Sequence, residues 1–274
     1  MSLKLGLLAS SIQTGGGTNP AATAFFNRVT AAGGTLTINE QNAVNTMVNS
    51  MQAAGIYTKF KVIYPMVGAS AAACSQNLIS SSFTGTFNGG WSFNSTGVTG
   101  NGTNTWIRNS FVGSTELTAG NWHQSYYSRT NNNVGVDAGS GDVAAYPSSY
   151  FQIRTASNLS YFVCGNFSNY GLVATGITDA RGLFLGSILS NTNRTYYRNS
   201  SIIQTNTTSI INVLYPAEII IGAYNEAGTS IPNPRFFNSK ECALYTLGDG
   251  LTTSEANQFY TIVQTFQTTL SRQV

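Results

Sequence analysis

Residues 240–274 read KECALYTLGDGLTTSEANQFYTIVQTFQTTLSRQV. The opening run, KECALYTLG, is an apolar, β-branched and aromatic stretch of strand length. Gly248, Asp249 and Gly250 supply a turn. Thr252 with Glu255 three residues later is a capping box: the hydroxyl accepts from the amide at the third helical position, and the carboxylate reaches back to the cap amide. Phe259, Ile262, Val263, Phe266 and Leu270 then recur at helical spacing, with Gln, Thr and Asn on the other faces. A strand thus passes through a tight turn into an amphipathic helix. That helix must dock on something.

The rest of the chain supplies the surface. Between Ile56 and about Leu247 the runs YTKFKVIYP, TNTWIRNSF, HQSYYSRT, SYFQIRT, LSYFVCGNF, GLFLGSI, TYYRNSSIIQT and EIIIGAYN read as strands, separated by Gly, Asn and Ser clusters. Their spacing of roughly 8–12 residues suits an all-β sandwich. Asn199 and Ser200, set between Tyr196, Tyr197 and Ile202, Ile203, predict a hairpin. In a two-sheet sandwich one face of each strand enters the core, and the polar face of Asn, Thr, Ser and Tyr is expected to meet solvent. Upstream, Asn19 as N-cap, Pro20 at the first helical position and Phe25, Phe26 and Val29 on one side predict a helix closed by Gly33 and Gly34. A second capping box, Thr37 to Glu40, starts another, with Val44, Met47, Val48 and Met51 on its apolar face and Gly55 at its end. The expected organisation is an N-terminal arm (1–18), a helical hairpin (19–55) and a sandwich with its C-terminal helix (56–274). The hairpin cannot bury much alone and must pack on the larger body or on another chain.

Composition agrees with a mainly β chain. Of 274 residues only 8% are charged and 42% are hydrophobic, against about 25% charged in an average protein. The net charge of +3 comes from scattered residues, with Lys59 and Lys61 the one close pair. A phosphate-binding face needs basic residues gathered together, so nucleic acid is excluded as a partner. No apolar run reaches the roughly 18 residues of a membrane helix, and membrane is excluded likewise. The opening MSLKLGLLASSI is expected to form a strand or docking arm rather than a secretory signal, because its apolar stretch stops near the lower end of the usual range of about 7–15 residues. Cys74, Cys164 and Cys242 are widely separated and odd in number, and read as reduced core thiols.

The order GTFNGGWSFNSTGVTGNGTNTW, HQSYYSRTN, RTYYRNSSIIQTN, IIIGAYNEAG and CALYTLGDGLTTSEANQFYTIVQTFQ resembles a concanavalin A-like or laminin G-like jelly roll, in the version carried by virion proteins of tailed bacteriophages. The resemblance spans roughly residues 56–274, and the closing strand, turn and helix are its most specific part. It implies a helix laid on a sheet edge or rim of the sandwich. It also implies a non-enzymatic virion structural protein: a fibre, spike or decoration protein, made in the bacterial host cytoplasm and displayed on the particle surface. Its partners would be other virion proteins and further copies of itself, with a trimer favoured. The alternatives are a carbohydrate hydrolase or lyase, or a secreted lectin, of the same fold.

Catalytic groups are scarce. Glycosidases set paired carboxylates at a fixed separation across the scissile bond, and no two of the ten acids stand two or four residues apart on a strand. Glu40 and Glu255 are capping residues. His123 is the sole histidine, and beside Trp122 it reads as a strand-edge residue. The loop NNNVGVDAGSGD has oxygen donors for Ca²⁺, with Asp137 and Asp142 as candidate ligands, but not the acidic spacing of a dedicated calcium loop. No other cofactor is expected. What remains is recognition by shape and hydrogen bonding. Fourteen Tyr and three Trp supply faces on which sugar C–H surfaces stack, with Asn, Ser and backbone groups to fix the hydroxyls. The longest polar loops, 88–104 and 131–149, are bordered by aromatic residues, and Trp91, Asn94, Trp106, Tyr146 and Tyr150 are the candidate ligand-binding residues for a surface glycan. The competing reading places these aromatics in the core or sheet surface, and gives the loops to packing.

Overall fold

Strand Glu241–Gly248 is the hub of the structure. It pairs antiparallel with Trp122–Ser128 on one side, and with Gly97–Thr99 and then Phe60–Tyr64 on the other. From there an eight-stranded sheet continues through Gly182–Ser190, Asn193–Arg198 and Ser201–Asn206, with Ser92–Asn94 at the opposite edge. A nine-stranded second sheet runs in the order Leu172–Ala174, Ser160–Gly165, Ser148–Gln152, Ala138–Gly141, Ile220–Ile221, Trp106–Arg108 and Thr86–Asn88, with Tyr224–Glu226 and Pro234–Arg235 attached beside Ala138–Gly141. The chain is mainly β and folds as a jelly-roll β-sandwich, seen here in a computed structural model that describes residues 17–142, 148–165, 171–209, 213–226 and 232–274. The arm expected at the N-terminus lies, but for residues 17 and 18, outside the described residues.

Two hydrophobic cores lie on the two faces of the first sheet. Trp122, Tyr126, Phe184, Tyr196, Tyr245 and Leu247 point to the second sheet, where they meet Phe151, Phe162 and Ile221. Their neighbours Tyr127, Leu183, Leu185, Tyr197, Ala243 and Leu244 point the other way. Ala243 and Leu244 share a face because the register slips between Cys242 and Leu244, a bulge that places two residues of one strand against one of its partner. At Gly186 a Cβ would lie 2.2 Å from the Phe162 ring, so glycine there lets the opposing aromatic approach the backbone.

The outer face of the first sheet is therefore not the solvated face that alternation predicts. Both strand parities carry apolar side chains, and helices cover the outward set. Pro20–Ala31 and Ile38–Ala53 form the expected hairpin, and Thr253–Thr269 is the C-terminal helix, each of the last two opened by its capping box. Phe25, Val44, Met47, Val48 and Met51 of the hairpin share one buried cluster with Phe259, Val263 and Phe266. Hence the hairpin's apolar face is used within the chain, and the closing helix lies on the sheet face, not on an edge or rim. Burying each such Phe, Val or Met contributes about 1.5–3 kcal/mol, which is enough to hold the three helices as a third layer.

The hairpin through Asn199 and Ser200 forms as read, with Asn199 at φ 56 in the left-handed region that asparagine tolerates. The three cysteines are buried free thiols. Among the described residues no helix is long and apolar enough to cross a membrane.

Candidate functional site: a cleft on the second sheet

Strand Ser148–Gln152 alternates cleanly. Phe151 enters the core, while Ser148, Tyr150 and Gln152 face outward. The adjacent strand, Ala138–Gly141, carries glycine at both of its outward positions. A Cβ on Gly139 would lie 2.3 Å from that of Tyr150, and one on Gly141 would lie 2.4 Å from the hydroxyls of Ser148 and Tyr224. The backbone of that strand is therefore buried directly beneath the Tyr150 side chain and the Ser148 and Tyr224 hydroxyls.

The Tyr150 and Tyr224 rings meet edge to face, with centroids 5.6 Å apart at 81°, and Phe236 continues the series 6.3 Å from Tyr224. Together with Val134, Val136, Phe237 and Gly102 they enclose a cleft of about 760 Å³. Phe236 is 58% exposed and has φ 53. An aromatic residue held in the left-handed region with its ring in solvent costs free energy twice, in backbone strain and in exposed apolar surface.

A buried ion pair fixes the walls. Asp137 and Lys240 are both fully buried with Lys240 Nζ 3.2 Å from Asp137 Oδ1. Asp137 also accepts from the Ile153 amide at 2.7 Å and from Asn238 Nδ2 at 3.0 Å, and Lys240 donates to the Val134 carbonyl at 2.8 Å. The Val136 amide donates to the Phe236 carbonyl at 2.8 Å, joining one wall to the other. Burial pushes the Tyr224 phenol up to about 12, with the charges of Glu226 and Asp142 adding to it; burial raises Tyr150 as well. Both phenols stay neutral at physiological pH, as hydrogen-bonding tips on apolar plates.

Of the residues chosen from sequence, Tyr150 lies in the cleft, and the two loops singled out each reach it, through Gly102 and through Val134 to Val136. Tyr146 is outside the described residues. Trp91 is elsewhere: its Nε1 donates to the Asn88 carbonyl at 2.9 Å, and its ring packs on Phe87 and over Gly222. Trp106 is half-buried in a strand paired with Asn88, and Asn94 is exposed on the edge strand of the other sheet. None of those three lines the cleft. The residues not singled out are Tyr224, Phe236, Gln152 and the two valines. For Gln152 a signal exists, the period-2 alternation in SSYFQI that puts Ser148, Tyr150 and Gln152 on one face; Tyr224, Phe236 and the valines come from other segments, and only the fold brings them there.

Asp137 is not a calcium ligand. Both its oxygens are committed inward, and among the described residues no group of three or more His, Cys, Asp or Glu side chains is placed to hold a metal. Asp142 is half-buried at the end of the glycine strand. His123 is not at a strand edge but in the central strand, fully buried, where its ring meets Phe60 with centroids 4.7 Å apart. A carbonyl can only accept, so the 2.6 Å contact to the Asp249 carbonyl puts the proton on Nδ1, and Nε2 accepts from Thr246 Oγ1 at 3.2 Å. Glu218 is spent on the turn after Trp106–Arg108: it accepts from the Asn109 and Ser110 amides at 2.6 Å each and from Arg108 Nε at 3.1 Å.

No protein-family model matches the chain, and no curated protein does. Among solved structures, the chain is similar to domain 4 of AbnA, a GH43 extracellular arabinanase of Geobacillus stearothermophilus in complex with arabinotriose, at 11% identity over 73% of this chain and 98% of that one, with a TM-score of 0.49. It is similar to the NanB sialidase of Streptococcus pneumoniae at 13% identity, covering 56% of this chain and 26% of that one, with a TM-score of 0.40. The CBM40 of a Ruminococcus gnavus IT-sialidase, bound to α2,3-sialyllactose, is similar at 13% identity over 52% of this chain and 82% of that one, with a TM-score of 0.38.

Proposed function

We propose that this is a non-enzymatic glycan-binding sandwich of a bacteriophage virion, displayed on the particle surface as a fibre, spike or decoration protein. The observation that carries the glycan reading is the cleft: a trough walled by the Tyr150, Tyr224 and Phe236 rings with a few polar groups among them, on the outward face of the second sheet. Sugars have an apolar C–H face and a polar hydroxyl rim, and such a trough matches both. The virion setting is supported by the resemblance of the closing strand, turn and helix. Non-enzymatic action is supported by the engagement of the acids: Glu40 and Glu255 cap helices, Glu218 holds a turn, Asp137 pairs with Lys240, Asp179 with Arg181 and Arg198, Glu226 with Arg235, and Glu241 with Arg129.

Individual contacts in one such cleft contribute on the order of 1 kcal/mol each. Single-site binding is therefore weak, and attachment gains from many copies in one particle, with a homotrimer as the unit. Purified protein should bind isolated host surface polysaccharide without releasing reducing ends, and Tyr150→Ala should abolish that binding. Steady release of reducing ends, lost on Asp142→Asn or Glu218→Gln, would make the protein an enzyme instead.

A further inference from the structure

We infer that the cleft selects uncharged sugars that present a methyl group, whether of a 6-deoxy carbon or of an N-acetyl substituent, and rejects acidic sugars. This rests on the glycan-binding reading of the same cleft and adds its ligand class. Charge comes first. Among the described residues no lysine or arginine lines the cleft. The basic residues on the flanking segments are already engaged: Lys240 is buried against Asp137, Arg235 pairs with Glu226 at 3.0 Å, and Arg154 donates to Asn131 at 2.7 Å and to Asn158 at 2.9 Å. The charges felt at the Tyr224 hydroxyl include those of two acids, Glu226 and Asp142. A sugar carboxylate seated there would lose water and gain no cation.

Polar capacity comes second. Gln152 Nε2 already donates to the Gly135 carbonyl at 3.2 Å, and the Ser148 hydroxyl shares a hydrogen bond with Tyr224 at 3.0 Å. A fully hydroxylated sugar face would bring more groups than the walls satisfy, and each unpaired one is costly. Val134, half-exposed at the rim, with Val136 and the strained, exposed ring of Phe236, instead offers apolar surface. A methyl group set on that surface removes apolar area from water on both sides.

The test is calorimetry of the full chain with four oligosaccharide probes: a rhamnose trisaccharide, chitotriose, maltotriose and sialyllactose, the last carrying both an N-acetyl methyl and a carboxylate. The rhamnose or the chito-oligosaccharide should bind about ten-fold or more tighter than maltotriose, the discrimination one methyl-sized group commands in an apolar pocket. Sialyllactose should not bind, and Val134→Lys should confer sialyllactose binding. Binding of one methyl-bearing probe alone names the source of the methyl and upholds the inference. Sialyllactose binding equal to that of the neutral methyl-bearing probes, or maltotriose binding equal to theirs, overturns it while leaving a glycan site in place. Binding of none of the four, with Tyr150→Ala indistinguishable from the parent on host polysaccharide, removes the glycan reading itself.

Discussion

At the scale of single residues, the polar groups inside this sandwich set its pH and charge sensitivity. His123 is held neutral: burial takes its pKa from an ordinary 6.5 down to about 4, with Lys59 nearby acting in the same direction against the Asp249 carbonyl. The folded state therefore binds fewer protons than the unfolded one between those values. The stability His123 contributes is complete above pH 6.5 and is lost as pH falls toward 4. One pH unit corresponds to about 1.4 kcal/mol, so lowering the pH from 6.5 to 5 should cost about 2 kcal/mol, read by urea denaturation at each pH. His123→Gln should flatten that slope, and an unchanged slope would assign it to other groups. The Asp137 and Lys240 pair behaves differently, since neither partner touches water. Asp137→Asn leaves an ammonium buried without its counterion and should cost about 3–5 kcal/mol, whereas Asp137→Leu with Lys240→Met should recover most of it. A loss below 1 kcal/mol in the single variant would show that the pair is not what fixes the cleft walls. Nothing in the sequence identified this pair, because Asp137 and Lys240 are about a hundred positions apart and precede strands of two different sheets, so they meet only when the two sheets pack together. The acidic loop around Asp137 looked instead like a place for oxygen ligands.

At the scale of elements, the C-terminal helix was readable in its boundaries and not in its placement. Thr252 and Glu255 fix its start through local hydrogen bonds, and local signals survive in a sequence. Its resting place depends on Tyr127, Leu185, Tyr197 and Ala243, contributed by four strands. Runs such as YYS and CALYTL are apolar at both parities, and that continuity is the mark of a strand buried on both faces. The helix is held at its far end by Arg272, fully buried, whose guanidinium donates to the carbonyls of Pro65 at 2.6 Å, Met66 at 2.8 Å and Ala243 at 2.9 Å and lies over the Phe266 ring. These two ends should differ in weight. Thr252→Ala removes one capping acceptor and should cost about 1 kcal/mol. Arg272→Met strands three buried carbonyls and should cost about 3 kcal/mol or more. Thermal denaturation that ranks the two in the opposite order would mean that the helix is held by its start and its apolar face alone.

At the scale of the whole molecule, the sandwich separates its aromatic residues into those packed against the inter-sheet core and those that line the cleft. Trp91 and Tyr150 looked equivalent in sequence, each an aromatic bordering a long polar loop. They are not equivalent in the fold. Trp91 closes the sandwich end, hydrogen-bonded to Asn88 and packed on Phe87, whereas Tyr150 stands on the outward parity of the second sheet beside a glycine strand. Which loop aromatics face inward is decided by strand register, and register is set by partners far away in the chain. The two should therefore respond oppositely to truncation. Trp91→Ala opens a void at the end of the first core and should lower stability by about 1–3 kcal/mol, with binding to host polysaccharide retained at temperatures where the protein remains folded. Tyr150→Ala with Tyr224→Ala removes the plates of the cleft without touching the inter-sheet core, and should abolish polysaccharide binding while the melting temperature moves by no more than a few degrees. Paired melting and binding measurements on the two variants settle the division. Loss of binding in the Trp91 variant while it is fully folded would move the site to loop 88–104, one of the two loops singled out from the sequence. Collapse of stability in the double tyrosine variant would make the aromatic row a structural rib of the second sheet.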